Sequence, residues 1–342
     1  MDNRIKNVLY AAVLLASMAG VYYYRQNSIP TPFRLEGKTM GTSYHIIYFD
    51  ERNRNFQHPV DSLLELINKA INTYDTTADI SRFNRSDHGV HFTLPYFYPP
   101  LLKSQEVVKG SGGAYDPTVM PLVNAWGFGP RKVERPDTAE VMRVKEYVGF
   151  EKIQFNKDSA WKLDPRVQLD FSAIGQGYGA DVIGDFFKSR EIIDYFIELG
   201  GEGVAHGRNL KENRDWEIGI LDPESNYEEQ KFIATTRIRD QGYSTSGNYF
   251  NFRIVDGRKY SHTLDPFTGF PAQRAVLCVT VFAKDCSTAD AWATAFMSMG
   301  HEKGIELLKS HPELEAFFVY STPEGIRHYT SPGLADALTV AK

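Results

Sequence analysis

Apolar residues run almost unbroken from residue 8 to 24, then recur with two spacings that alternate irregularly along the chain. The first run predicts one N-terminal helix. Residues 33–49 read as two short strands around the turn Gly37-Lys38-Thr39-Met40-Gly41-Thr42, the second alternating from Ser43 on. Helical spacing predicts an amphipathic helix over 60–73, carrying Leu63, Leu64, Ile67 and Ile71, another over 96–110 ended by Gly110-Ser111-Gly112-Gly113, and a short one over 120–125. A helix over 139–148 and strands near 153–155 and 161–163 follow. A further strand, 167–171, leaves through Ser172 to Gly179 into a helix over 180–190. The strand 195–199 stops at Gly200-Gly201, and the pattern stays strand-rich to Val281. A β-branched run, 275–283, then enters a helix for which Ser287 or Thr288 is the expected N-cap. An amphipathic helix near 302–310 and strands at 316–320 and 326–329 complete the chain. Strands and helices do not alternate as βαβ units, so an α+β fold with mixed or antiparallel sheets and packed helices is expected, not a doubly wound parallel sheet.

Composition narrows the function classes. The 342 residues are 42% hydrophobic and 13% aromatic, enough for a sizeable core and without the signature of disorder. Net charge is -5 and no Lys/Arg block tracks a nucleic-acid backbone, so nucleic acid is not an expected partner. Two cysteines, Cys278 and Cys286, match no zinc spacing and are expected free and buried. Arg4 and Lys6 before the apolar run, and Tyr22, Tyr23, Tyr24 and Arg25 at its end, have the layout of a signal anchor or signal peptide. The expected organisation is therefore that segment over 1–25, a polar tether over 26–32, and a catalytic domain over 33–342. Positive charge ahead of the run leaves the domain outside the cytoplasm.

Four segments carry candidate chemistry. Asp290 and Thr294 lie four apart on the predicted C-terminal helix, so a carboxylate and a hydroxyl leave one face. These are hard oxygen ligands of the kind magnesium takes; the alternative is an acid favouring the helix dipole and a threonine bonding its own backbone. Leu169 to Gly177 reads as a glycine-bearing strand-to-helix turn, either a purely structural one or one where the free N–H groups of the helix after Gly177 attract phosphate. Gly175, Gly177 and Ala180 match dinucleotide spacing but open no βαβ unit. The hydroxyl run Gly242 to Tyr249 is either a polar turn or a lining for phosphate and ribose oxygens. His262 stands just before the turn Asp265-Pro266-Phe267-Thr268-Gly269, either as a general base oriented by Asp265 or as one half of a structural pair.

Taken in order, Gly37 to Thr42, Ser81 to Asn84, Gly113 to Thr118, Pro121 to Pro130, Leu169 to Tyr178, Leu199-Gly200-Gly201, Ser244 to Gly247, Ser261 to Gly269 and Ala289 to Thr294 resemble the ApbE family of flavin transferases. The resemblance implies a T-fold-related, two-lobed catalytic unit that cleaves FAD and attaches FMN to a Thr or Ser of another protein, releasing AMP. It implies Mg²⁺ held by Asp290, Thr294 and the Ala173 carbonyl. It places flavin against Met40 and Tyr74, with Ala114, Tyr115, Asp116, Asp170 and Leu264 around it and Gln176 near the nucleotide, and makes His262 the base. The implied acceptors are subunits of membrane redox complexes, such as the sodium-pumping quinone reductase, reached from an anchor in the inner membrane on the periplasmic side. Gln176, Ala293 and Glu202 depart from the family pattern. Gln176 lacks a charge often present, Ala293 lacks an Asp that helps hold a second metal in some members, and Glu202 replaces a small polar residue. Competing expectations are an FAD pyrophosphatase, a non-catalytic FAD-binding protein and, least supported, a nicotinamide oxidoreductase.

Overall fold

The structure is a computed structural model that describes residues 3–28, 30–225, 231–248, 252–255 and 257–341. Helix α1, Asn3–Ser28, comes first, and none of its described side chains is buried. Strands β1 (Phe33–Thr39) and β2 (Thr42–Tyr48) form a hairpin, followed by α2 (Gln57–Ile71), α3 (Asp79–Arg85) and β3 (Gly89–His91). Next come α4 (Tyr98–Gly110), α5 (Met120–Ala125), α6 (Thr138–Lys145), β4 (Ile153–Phe155) and β5 (Ser159–Lys162). Helix α7 (Gly175–Ser189) leads into β6 (Tyr195–Leu199), β7 (Glu202–His206), β8 (Trp216–Leu221), β9 (Phe232–Ile238) and β10 (Gln241–Gly247). A hairpin of β11 (Phe252–Val255) and β12 (Arg258–Ser261) precedes β13 (Val276–Ala283), α8 (Cys286–Met299) and α9 (His301–Leu308). Strands β14 (Glu315–Thr322), β15 (Gly325–Thr330) and β16 (Leu338–Val340) finish the chain.

The expected α+β class is what forms. An antiparallel sheet in the order β1-β2-β6-β7-β10-β13-β14-β15 is the central element. Helices α2, α7 and α8 cover one face, where Leu64, Ile183, Ile197 and Val204 pack together. The small sheet β16-β9-β8 covers the other, with Trp216, Ile218 and Ile220 against Tyr243, Phe282 and Phe317. Burying both faces explains why β13, Val-Leu-Cys-Val-Thr-Val-Phe-Ala, reads as a continuous apolar run.

Three local expectations fail, the first two for tertiary reasons. No strand forms over 167–171: a single parallel bridge joins Gln168 to Val119, and the Asn84 side chain stands in for a neighbouring strand. Its Nδ2 donates to the Leu169 carbonyl at 2.8 Å and its Oδ1 accepts the Leu169 N–H at 2.7 Å. Helix α7 begins at Gly175, not Ala180, because the glycines that weaken its propensity are what let its neighbours approach. A Cβ at Gly177 would lie 2.6 Å from the Cys286 carbonyl oxygen. The N-cap of α8 is Asp285, whose carboxylate accepts the Thr288 N–H at 2.8 Å, not Ser287 or Thr288. Cys278 and Cys286 are free and buried, as expected.

The N-terminal apolar run is one helix that continues through Ser28, into the segment read as tether. Among the described residues it is the one helix long and apolar enough to cross a membrane, over Arg4–Tyr22. The side chains of Tyr23, Tyr24 and Arg25 fall outside the described residues, as does Tyr249 of the hydroxyl run.

Candidate active site

Two hairpin tips define one end of the central sheet. The β1–β2 tip is Met40-Gly41, both with positive φ (49° and 76°), the backbone that matches strand twist in a two-residue turn. The β6–β7 tip is Gly200-Gly201 (φ 69° and 111°), tied to its neighbour by the Gly200 N–H donating to Ser43 O at 3.0 Å. Beside these tips lies a cleft of about 1420 Å³. Every sequence-derived site residue lines it: Met40, Tyr74, Ala114, Tyr115, Asp116, Asp170, Ala173, Gln176, His262, Leu264, Asp290 and Thr294.

The oxygen-rich pole is built by α8 lying across β10. Asp290 is 4% exposed; its Oδ1 accepts from Ser244 Oγ and its Oδ2 from the Gly177 N–H, both at 3.2 Å. One turn later Thr294 Oγ1 lies 3.3 Å from Ser246 Oγ. Burial pushes the Asp290 carboxyl up to about 7, against the two hydrogen bonds that favour its charged form. Glu202, also lining the cleft, is raised well above the usual carboxylate range by burial first and by the Asp290 charge second. Helix α7 is fastened to α8 by Asp181, which accepts the Cys286 and Ser287 N–H groups at 2.8 Å each. That clamp was missed in the sequence; its signal was an acid four residues after Gly177, on the same helix face.

Three N–H groups at the α7 N-terminus have partners within the chain. The Gly175 N–H donates to Phe171 O at 2.7 Å, the Tyr178 N–H to Ile174 O at 2.9 Å, and the Gly177 N–H to Asp290. The Gly177 N–H thus orients the Asp290 carboxylate.

The opposite wall is more apolar. Tyr74 is 61% exposed, with its hydroxyl donating to Phe128 O at 3.3 Å, so its ring is a flat surface at the cleft mouth. Met40 is half-buried over Gly179, and Leu264 is buried. Tyr115 is a core residue whose hydroxyl pairs with Ser104 at 2.9 Å. Asp116 and Asp170 organise backbone: Asp116 Oδ1 accepts the Thr118 N–H and hydroxyl, its Oδ2 accepts the Phe150 N–H, and Asp170 Oδ1 accepts the Ser172 N–H and hydroxyl. Burial raises both carboxyls. His262 is exposed and lines the cleft just after β12. Asp265 shapes the turn: its Oδ1 accepts the Phe267 and Thr268 N–H groups and its Oδ2 the Arg274 guanidinium at 2.9 Å.

An array of carboxylate and hydroxyl oxygens with no nitrogen or sulfur donor fits a hard divalent cation of the magnesium class. Asp290, Thr294 and the carbonyl of Ala173, in the turn entering α7, are the residues that would hold it; among the described residues no lysine or arginine compensates Asp290.

Known proteins share this fold. The ApbE family model matches residues 40–318. The chain is 34% identical over 306 residues to an FAD:protein FMN transferase of Vibrio cholerae, spanning 87% of this chain and 90% of that protein. It is 30% identical over 318 residues to the Escherichia coli protein of the same name, spanning 90% of each. Among solved structures, flavin transferase ApbE of Vibrio cholerae aligns with a TM-score of 0.80 at 31% identity, over 90% of this chain and 99% of that one. The apo form of Pseudomonas stutzeri flavinyl transferase ApbE aligns with a TM-score of 0.80 at 30% identity, over 90% and 97%. By sequence and by fold, the chain belongs to the ApbE family.

Proposed function

We propose that this chain is an Mg²⁺-dependent FAD:protein FMN transferase. The acceptor's Thr or Ser Oγ attacks the phosphorus on the FMN side of the FAD pyrophosphate and forms a phosphoester. The bond from that phosphorus to the bridging oxygen breaks, AMP leaves with the bridging oxygen, and the hydroxyl proton passes to His262. Mg²⁺ held by Asp290, Thr294 and the Ala173 carbonyl supplies charge neutralisation at the pyrophosphate oxygens. Tyr74 and Met40 offer the isoalloxazine ring an aromatic and a thioether surface, and Ala114, Tyr115, Asp116, Asp170 and Leu264 shape the wall around it. Gln176 contacts the nucleotide without a charge. The observation that carries this reading is the meeting of the Asp290–Thr294 oxygens and His262 in one cleft, in a chain that spans nine-tenths of the transferases it resembles.

Residues 33–342 serve as the catalytic domain, and α1 serves as an inner-membrane anchor. Arg4 and Lys6 at the cytoplasmic end of that helix leave the cleft on the periplasmic side, facing acceptor subunits of membrane redox complexes. The test is the intact mass of a candidate acceptor after incubation with the full chain, FAD and Mg²⁺. One FMN per acceptor is expected, lost with Asp290→Ala and with His262→Ala. FMN and AMP without labelled acceptor would make the chain a pyrophosphatase, and intact FAD would make it a flavin carrier.

A further inference from the structure

Glu202 has no part in the chemistry described so far, yet the fold aims it at Asp290. It opens β7 directly after the Gly200-Gly201 tip and pairs with Leu199, so its side chain leaves the same sheet face as Leu199 and Val204, the face covered by α7 and α8. Strand β7 lies beside β10 with Val204 opposite Gly242 and Gly203 opposite Tyr243. Carried one residue further, that register sets Glu202 beside Ser244, whose hydroxyl donates to Asp290 Oδ1. The residue as a whole is half-buried, but its Oε2 is shielded from solvent and accepts no hydrogen bond. Among the described residues no lysine or arginine compensates it.

A dry carboxylate oxygen without a donor, next to a second carboxylate, is among the costlier arrangements a fold can hold. Native proteins keep such oxygens for a ligand or a proton. The oxygens around this one favour the ligand: Ser244, Ser246, Thr294 and Asp290 offer only hard donors, and the group lines the cleft. We propose that the Glu202 carboxylate is a further ligand, direct or through one bound water, to the divalent cation held by Asp290. This rests on the metal reading of Asp290 given above, and it assigns a coordinating task to a position that in sequence stood out only as a departure from the family pattern.

The test is Mn²⁺ binding to the full chain, without flavin, followed by electron paramagnetic resonance of the free ion. Glu202→Gln keeps shape and hydrogen-bonding capacity but removes the charge. It is expected to weaken Mn²⁺ at least about tenfold, and to leave the metal-free protein melting no lower than the unsubstituted chain. Glu202→Ala, which removes the carboxyl outright, is expected to weaken Mn²⁺ as much and covers the case in which the Gln variant does not fold. Asp290→Asn abolishes binding on this scheme. Unchanged Mn²⁺ affinity in either Glu202 variant, with binding lost in Asp290→Asn, overturns the inference and makes Glu202 a protonated structural acid while the Asp290 site stands. No Mn²⁺ bound by the unsubstituted chain overturns both.

Discussion

The two ends of the central sheet treat buried acids in opposite ways. Just past β2, at the end away from the cleft, Asp50 is 5% exposed and meets its counter-ion four residues on: Arg54 Nε and Nη2 approach its two oxygens at 2.9 Å each, and the Arg54 N–H adds a third bond at 2.7 Å. The guanidinium holds the Asp50 carboxyl down at about 2. At the cleft end, Asp290 is buried, Glu202 is half-buried with a dry Oε2, and both carboxyls are raised. A charge with a cation in the same chain is finished architecture. Charges buried without one leave an opening for something brought from outside, and that contrast separates scaffold from site here more sharply than burial does.

Giving the cleft end a built-in cation should abolish the contrast. In Thr294→Lys an ammonium beside Asp290 is expected to cut flavin transfer by on the order of a hundredfold or more, with melting temperature held or raised. Transfer that survives, measured by acceptor mass, would mean that the acids do not await a cation. The contact between α7 and α8 comes next. In Gly177→Ala the new Cβ meets the Cys286 carbonyl oxygen at 2.6 Å and the Asp290 Cβ at 2.9 Å, so a loss of about 3 kcal/mol is expected by urea titration. Asp50→Asn removes a charge from a satisfied pair and is expected to cost about 1–2 kcal/mol while leaving transfer unchanged.

The acid limb of stability sharpens the same point. Because the folded Asp50 carboxyl lies at about 2, below its ordinary 3.8, its contribution is full above pH 3.8 and disappears as pH falls through about 2. Asp50→Asn should flatten that part of the pH–stability curve. An unchanged slope would mean that the ion pair contributes nothing measurable.

Much of the scaffold was legible because local and tertiary preferences agree. The apolar run of β13, the alternation of β2 and the 3.6-residue stripe of α2 each state their element directly, since each buries the faces that its period implies. Asp290 and Thr294 were legible because helical spacing alone puts them together. Asn84 was not: a side chain replacing a strand at Leu169 leaves no periodic trace. Nor was the bond from the Gly177 N–H, because its acceptor lies far along the chain at residue 290. Glu202 was visible as an unusual residue after a double glycine, but only the register of β7 with β10 gives it a direction.

That Glu202, Ser244, Ser246, Asp290 and Thr294 meet at one pole of the cleft has a consequence for how the chain matures. They converge only when β10 has slotted between β7 and β13 and α8 has folded back over it, so most of the site's contacts close large loops of chain and form late. No fragment ending before residue 294 can contain the assembled site. A nascent chain therefore has no assembled acid pole until α8 has docked on β10.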